Sequence, residues 1–142
     1  AYEDLIDAIT NLEMKGNKAA LKAMLEKAAA ILADTDAYVA STIDGLATVK
    51  ADAQNVYDNA DAVQSEINAA VKSLTLKIAA ARLLGDVNGD GAVTTSDSVS
   101  VLAASAELTS LDADATASAD VNGDGVADTL DAALILQTAA EK

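Results

Sequence analysis

A twelve-residue pattern of oxygen-bearing side chains occurs twice in the chain, as DVNGDGAVTTSD at 86–97 and as DVNGDGVADTLD at 120–131. Carboxylate, amide or hydroxyl oxygens stand at positions 1, 3, 5, 9 and 12 of each copy, and a glycine stands at position 6. A tight loop that turns at this glycine brings alternate side chains inward, and Ca²⁺ binds about six to eight such oxygens. We therefore predict that each copy is a calcium loop.

Two calcium ions are predicted, one in each loop, held by the side chains at positions 1, 3, 5, 9 and 12 and by the carbonyl of position 7. The first set is Asp86, Asn88, Asp90, Ala92 (carbonyl), Thr94 and Asp97; the second is Asp120, Asn122, Asp124, Val126 (carbonyl), Asp128 and Asp131. Asp128 gives the second loop one more carboxylate, so we expect it to bind calcium more tightly. The alternative is a pair of acidic turns without metal, which is disfavoured because clustered carboxylates repel one another.

The two copies lie 34 residues apart, and half of the 22 positions aligned between 86–107 and 120–141 are identical. Such repetition predicts two similar units that pack about an approximate twofold axis. Both loops end in Asp at position 12, where the EF-hand loop has Glu, and each is followed directly by a helical pattern. This loop-helix repeat resembles the type I dockerin family over 85–142.

The resemblance implies a non-catalytic module that binds a cohesin domain as a heterodimer and is otherwise a monomer. It would dock a secreted enzyme, such as a glycoside hydrolase, onto a scaffold in a cellulosome-like assembly outside the cell or at its surface. The implied partner contacts are Thr95, Ser96, Leu102, Ala103 and Glu107, with Thr129, Leu130, Leu136, Gln137 and Glu141 in the second repeat. Ser96/Leu130 and Ala103/Gln137 differ, so we expect one docking orientation to dominate. The alternative function is a structural calcium module of an extracellular protein without a cohesin partner.

The composition predicts an all-α protein, because the chain has no proline and 51% hydrophobic residues, many of them alanine. A change in charge predicts two domains. Residues 1–84 carry a net charge of −4, and residues 85–142 carry −10. We place the boundary at Leu84–Gly85.

Apolar residues at helical spacing predict the elements that position the loops. Four helices are expected in the first domain: a short one at 2–14 with Leu5, Ile6, Ile9 and Leu12, then 17–33, one from near Ala37 to Tyr57 with Gly45 as a weak point, and one capped by Asp61 that runs to about Leu84. The last three predict an antiparallel three-helix bundle. In the second domain, helices are expected at 97–108 and 131–141, with a short connecting helix within 110–119.

The bundle region resembles the FIVAR module of secreted carbohydrate-active enzymes. The residues that carry this resemblance are Tyr38 and Ser41 at the start of one helix, and 59–62 (Asn-Ala-Asp-Ala) at the start of the next. The resemblance implies a spacer or a buttress for the second domain, without an activity of its own.

Several functions are disfavoured by composition. The net charge of −14 argues against nucleic acid and anionic membrane as partners, which require basic surfaces. The chain has no His and no Cys, which excludes the usual zinc sites and the Ser-His and Cys-His nucleophiles. Most acids of the second domain are assigned to calcium, so we expect no catalysis in this chain. Because residue 1 is Ala and not Met, we expect the chain to be part of a longer protein. The calcium loops predict that this protein is secreted, because extracellular calcium would keep such sites filled.

Overall fold

The computed structural model describes residues 2–6 and 16–141, and its regular structure there is helical. The α-helices are α1 (Ala19–Ala33), α2 (Ala40–Ile43), α3 (Leu46–Asp58), α4 (Gln64–Ala80), α5 (Thr95–Ser105), α6 (Ala113–Ala119) and α7 (Thr129–Ala140), with a 3-10 helix at Thr35–Ala37. The predicted all-α class is confirmed. Residues 2–6 are helical, and the rest of the helix predicted at 2–14, including Ile9 and Leu12, lies outside the described residues.

Two compact units divide the chain, and each combines two separate segments. The first unit comprises Ala1–Ala33 and Asp44–Ala80, and the second comprises Asp34–Ile43 and Ala81–Lys142. Packing therefore assigns residues 34–43 and 81–84 to the second unit. The division of the sequence into modules 1–84 and 85–142 stays a prediction.

Helices α1, α3 and α4 form the bundle of the first unit. Their buried side chains are Leu21, Leu25, Ala28, Ile31, Leu46, Ala53, Ile67 and Leu74. The N–H of Asn17 donates to Gln64 Oε1 at 2.8 Å, and Lys18 Nζ donates to the Tyr57 carbonyl at 2.7 Å. The start of α1 thus lies beside the start of α4 and the end of α3, so α3 runs antiparallel to the other two helices.

Two helix boundaries in this region differ from the predicted ones. The helix expected from Ala37 to Tyr57 is broken, because Gly45 adopts a left-handed φ of +73° between α2 and α3. Asp61 does not cap α4: its N–H donates to Asn59 Oδ1 at 3.0 Å, and α4 begins at Gln64. The carboxylate of Glu66 accepts the N–H of Val63 at 3.1 Å and so satisfies a donor at the start of α4.

Residues 34–43, here called the strap, pair with the segment that leads into the first loop. The N–H of Val39 donates to the Arg82 carbonyl at 2.9 Å, and the N–H of Leu84 donates to the Ala37 carbonyl at 2.8 Å. Tyr38 and Leu83 form an isolated antiparallel bridge between these bonds. This pairing explains why α4 ends at Ala80 and not near Leu84 as predicted, since residues 82–84 leave the helix to bond the strap.

The second unit contains two loop-helix repeats around one small core. Helix α5 follows the first loop, α7 follows the second, and α6 lies in the connecting segment predicted to hold a helix. Ser98 Oγ donates to the Ala132 carbonyl at 2.7 Å and links α5 to α7. The core side chains are Val87, Val93, Val101, Ala115, Ala119, Ala132 and Ile135.

Candidate calcium and partner-binding site

The aspartate at position 1 of each loop organises the turn. Asp86 accepts the N–H groups of the residues at positions 4, 5 and 6 at 2.8, 3.1 and 2.9 Å, and Asp120 accepts the equivalent three at 2.9, 3.1 and 2.9 Å. The position 6 glycines Gly91 and Gly125 have φ of +88° and +89°. Side chains disfavour this left-handed region, so glycine permits the turn at low cost.

The aspartate at position 12 closes each loop from inside. Asp97 Oδ1 accepts the N–H groups of Val87 and Asn88 at 2.9 and 3.0 Å, and its Oδ2 accepts that of Thr94 at 2.9 Å. The equivalent Asp131 repeats all three bonds at 3.0, 3.1 and 2.9 Å. Both carboxylates are 0% exposed. Each therefore fastens the start of its loop to the first turn of the helix that follows.

Positions 3 and 5 project to the surface of each loop. Asn88 Oδ1 accepts the N–H of Asp90, and Asp90 Oδ1 accepts that of Ala92, both at 2.9 Å. Asn122 and Asp124 repeat this pair of Asx turns at 2.8 and 2.9 Å. All four side chains belong to exposed residues. Their oxygens are consequently accessible to solvent on the turn, at the positions predicted to bind an ion.

Position 9 serves as the N-cap of the following helix. Thr94 Oγ1 accepts the N–H of Ser96 at 3.3 Å, and Asp128 Oδ1 accepts that of Leu130 at 2.7 Å. Each forms a capping box with the position 12 aspartate three residues later. The residues predicted at position 9 thus have a structural role that the sequence reasoning did not assign to them.

The donor chemistry of both loops fits a hard divalent cation, because each offers carboxylate, amide and carbonyl oxygens and no sulfur or imidazole. In the described part of the chain, no group of three or more acidic, His or Cys side chains is arranged to hold a metal by itself. The position 12 carboxylates are turned toward backbone N–H groups. Amide and main-chain oxygens would therefore have to share in coordination, as the predicted ligand sets require.

The residues predicted to contact a partner lie on α5, on α7 and just after them. All ten are exposed except Ala103, which is half-buried. Leu102 and Leu136, which occupy equivalent positions, are 45% and 47% exposed. Glu107 and Glu141 differ in backbone conformation, because Glu107 has φ of +59° beyond the end of α5 whereas Glu141 is right-handed at φ of −86°. The two faces are similar in side chains but not identical in shape.

The predicted contact face on α7 borders the strap. Gln137 and Glu141 line an open groove of about 630 Å³ together with Asp34 and Asp36. Half-buried Leu83, Leu84 and Leu134 contribute apolar lining. The strap therefore adds two carboxylates beside the second repeat.

Two residues that contact the first loop were not identified from the sequence. Ser118 Oγ, in α6, donates to the Asp86 carbonyl at 2.6 Å, and Arg82 Nε donates to the same carbonyl at 3.0 Å. Arg82 is the last basic residue before Lys142 and stands just before the acidic stretch that begins at Asp86, which was the available signal. The helical pattern instead predicts that Arg82 belongs to the helix that runs to about Leu84.

Paired loop-helix repeats around a shared core, with oxygen-rich loops on the surface, define the second unit as a helical module of the calcium-loop type. Residues 84–138 match the family model described as the dockerin type I domain. This segment of the chain is therefore a type I dockerin, as the sequence predicted. The chain matches no curated protein and no solved structure in these comparisons.

Type I dockerins are non-catalytic modules that bind calcium and attach to cohesin domains. They are typical of secreted cellulosomal proteins. None of the helices in the described ranges is long and apolar enough to cross a bilayer.

Proposed function

We propose that the second unit docks a secreted, carbohydrate-active enzyme onto a cohesin domain of a scaffold protein, and that two calcium ions set its fold. The observation that carries the proposal is the match of 84–138 to the dockerin type I family. The bundle of the first unit, whose sequence resembles FIVAR modules, acts as a spacer or buttress. The resulting complex is a heterodimer at the outside of the cell or at its surface through the scaffold.

The proposed cohesin-binding surface combines the exposed residues at equivalent places of the two repeats. It contains Thr95, Ser96, Leu102, Ala103 and Glu107 in the first repeat, and Thr129, Leu130, Leu136, Gln137 and Glu141 in the second. Exposed leucines on a small domain favour protein contacts. The second repeat exposes both Leu130 and Leu136, at 56% and 47%, where the first has Ser96 and Leu102. We therefore propose that the second repeat supplies the main contact.

The proposed calcium ligands are the twelve residues predicted from the spacing, and the two loops differ at position 9. Exchanging the residues there, in Thr94→Asp and Asp128→Thr, is expected to tighten the first site and weaken the second, each about tenfold, which corresponds to about 1.4 kcal/mol. Both Thr and Asp are good N-caps, so the exchange keeps the cap while it moves one negative charge. Calorimetric calcium titration of the two variants measures the effect, and unchanged affinities would contradict the charge argument.

Binding of the chain to an immobilised type I cohesin tests the proposed function. In calcium, Leu136→Ala is expected to weaken binding about tenfold or more, because a central apolar contact is lost, whereas Leu102→Ala changes binding less than about twofold. The two leucines are matched in residue type and exposure, so each is the control for the other. In excess EDTA, binding of the unaltered chain should fall by at least about a hundredfold.

Other outcomes of this experiment are equally informative. Small losses from both single variants with a large loss from the double variant would mean that two orientations are used about equally. If calcium stabilises the chain but type I cohesins do not bind it, the alternative of a structural calcium module is favoured.

A further inference from the structure

The first loop is attached to the rest of its unit by a side chain from outside the repeat. Arg82 Nε donates to the Asp86 carbonyl at 3.0 Å, and Arg82 Nη2 donates to the Val87 carbonyl at 2.6 Å. A guanidinium can bind two neighbouring acceptors at once because its N–H groups point in fixed directions. Arg82 therefore holds the backbone of Asp86, the first proposed ligand, by hydrogen bonds.

The guanidinium also covers the turn of the first loop. A Cβ atom added at Gly89 would lie 3.2 Å from Arg82 Nη2 and 3.5 Å from Cζ. A Cβ added at the equivalent Gly123 would meet nothing within 4 Å. Gly89 and Gly123 share the same φ of +74°, so the backbone of the two turns is alike. The difference is that the Arg82 side chain lies against the first turn only.

The strap holds Arg82 itself in place. The N–H of Arg82 donates to Thr42 Oγ1 at 3.0 Å, and its carbonyl accepts the N–H of Val39 at 2.9 Å. Both backbone groups of Arg82 are thus bonded to the strap while its side chain is bonded to the loop. Val39 is 8% exposed, which anchors the strap in the second unit.

The second loop has a different residue at the equivalent place. Thr116 stands 34 positions after Arg82, and its hydroxyl donates to the Asp112 carbonyl at 2.7 Å at the start of α6. Thr116 is bonded within its own helix and does not reach forward as Arg82 does. The internal repeat is therefore asymmetric at the residue four positions before each loop.

We propose that Arg82 is a positioning residue for the first calcium loop, and that this loop, unlike the second, depends on it for calcium affinity. The inference rests on the proposed calcium function. Holding the backbone of Asp86 and Val87 in place removes part of the ordering entropy that ion binding would otherwise have to supply. The positive charge acts in the opposite sense, because a guanidinium near a cation site repels the ion.

Arg82→Lys and Arg82→Gln separate these two effects. Lysine keeps the charge but cannot bond both carbonyls with the same fixed geometry, and glutamine removes the charge as well. If Arg82 positions the loop, Arg82→Lys weakens the first site by about tenfold, Arg82→Gln weakens it less because it also removes the repulsive charge, and both leave the second site within about twofold. If only its charge matters, Arg82→Lys changes nothing and Arg82→Gln tightens the first site.

Amide NMR during calcium titration of the full chain reads each loop separately. Gly91 and Gly125 donate to the first aspartate of their own loops, both at 2.9 Å, so their signals report the two sites. Lys72→Gln, an exposed base in α4, is the matched control for loss of one positive charge and should move neither affinity. An unchanged or tighter first site in Arg82→Lys, or equal weakening of both sites in either variant, would overturn the proposal.

Hydrogen exchange gives a readout that does not depend on affinity. In both Arg82 variants, the amides of Gly89 and Asp90 should exchange at least about tenfold faster, and those of Gly123 and Asp124 should be unchanged. If neither Gly91 nor Gly125 of the unaltered chain responds to calcium, the proposed calcium function fails. In that case, faster amide exchange confined to the first loop of the Arg82 variants would still support the positioning role of Arg82. Unchanged exchange in both loops would refute that role.

Discussion

Chelation of calcium is expected to unfold the second unit and leave the bundle of α1, α3 and α4 intact. The core of the second unit is small and built mainly from valine and alanine. Residues 85–142 also carry eleven acidic residues and one basic residue. Without a bound cation, carboxylate repulsion acts on a unit that has little apolar burial to oppose it, so ion binding becomes folding free energy.

Hydrogen exchange and circular dichroism in EDTA measure this effect. Helical signal should fall by about the share contributed by α5, α6 and α7, and amide protection in α5 and α7 should fall at least about a hundredfold. The Val39 amide should lose protection with them, because it bonds Arg82, whereas the amides of Leu25 and Leu74 should keep theirs. Calcium, but not magnesium, should restore the signal. Native-like protection of the second unit in EDTA would refute the linkage.

Replacement of either position 12 aspartate by asparagine is expected to lower the free energy of unfolding of the second unit by about 3 kcal/mol or more. Asp97 and Asp131 are fully buried, and both oxygens of each accept backbone N–H groups. The carboxamide nitrogen of asparagine cannot accept a hydrogen bond. In the variant, this nitrogen would face a backbone N–H group, so two hydrogen-bond donors would oppose each other. The capping box of the following helix would be lost as well.

Urea unfolding of Asp97→Asn and Asp131→Asn in saturating calcium measures the loss. Asp114→Asn, which changes the same charge on an exposed residue of α6, is the matched control and should leave the unfolding midpoint nearly unchanged. A change of less than about 1 kcal/mol in both buried variants would contradict the structural role assigned to these carboxylates. Because the two sites have equivalent bonds, we expect losses of similar size.

The features that sequence predicts well here are local. Each proposed calcium loop is twelve contiguous residues, and its turn depends on a glycine and on Asx side chains that bond N–H groups a few residues away. The three long helices of the bundle are predicted from the spacing of apolar residues, which is also a local pattern. The sequence predicts position 9 only as a ligand, because the spacing of a calcium loop and that of a capping box coincide at Thr94 and Asp128.

The features that sequence did not predict depend on contacts between distant residues. The strap pairs residues 37–42 with residues 82–84, 40 or more positions later, whereas apolar residues at helical spacing predict helix for both segments. Asp34, Asp36 and Gly45 indicate breaks in the helical pattern on either side of the strap. They do not indicate which residues the strap would bond. The role of Arg82 follows from that pairing, so it could not be read from its own neighbourhood.

The strap has a consequence for how this dockerin can be exchanged between proteins. A recombination or cloning junction at Leu84–Gly85 keeps both proposed calcium loops but separates them from Arg82 and from the strap that lies some 40 residues before Arg82. Such a junction also leaves the upstream half with a bundle interrupted by a segment that packs elsewhere. The bundle and the dockerin of this chain should therefore be transferred together, and a fusion tag made from the dockerin should include both.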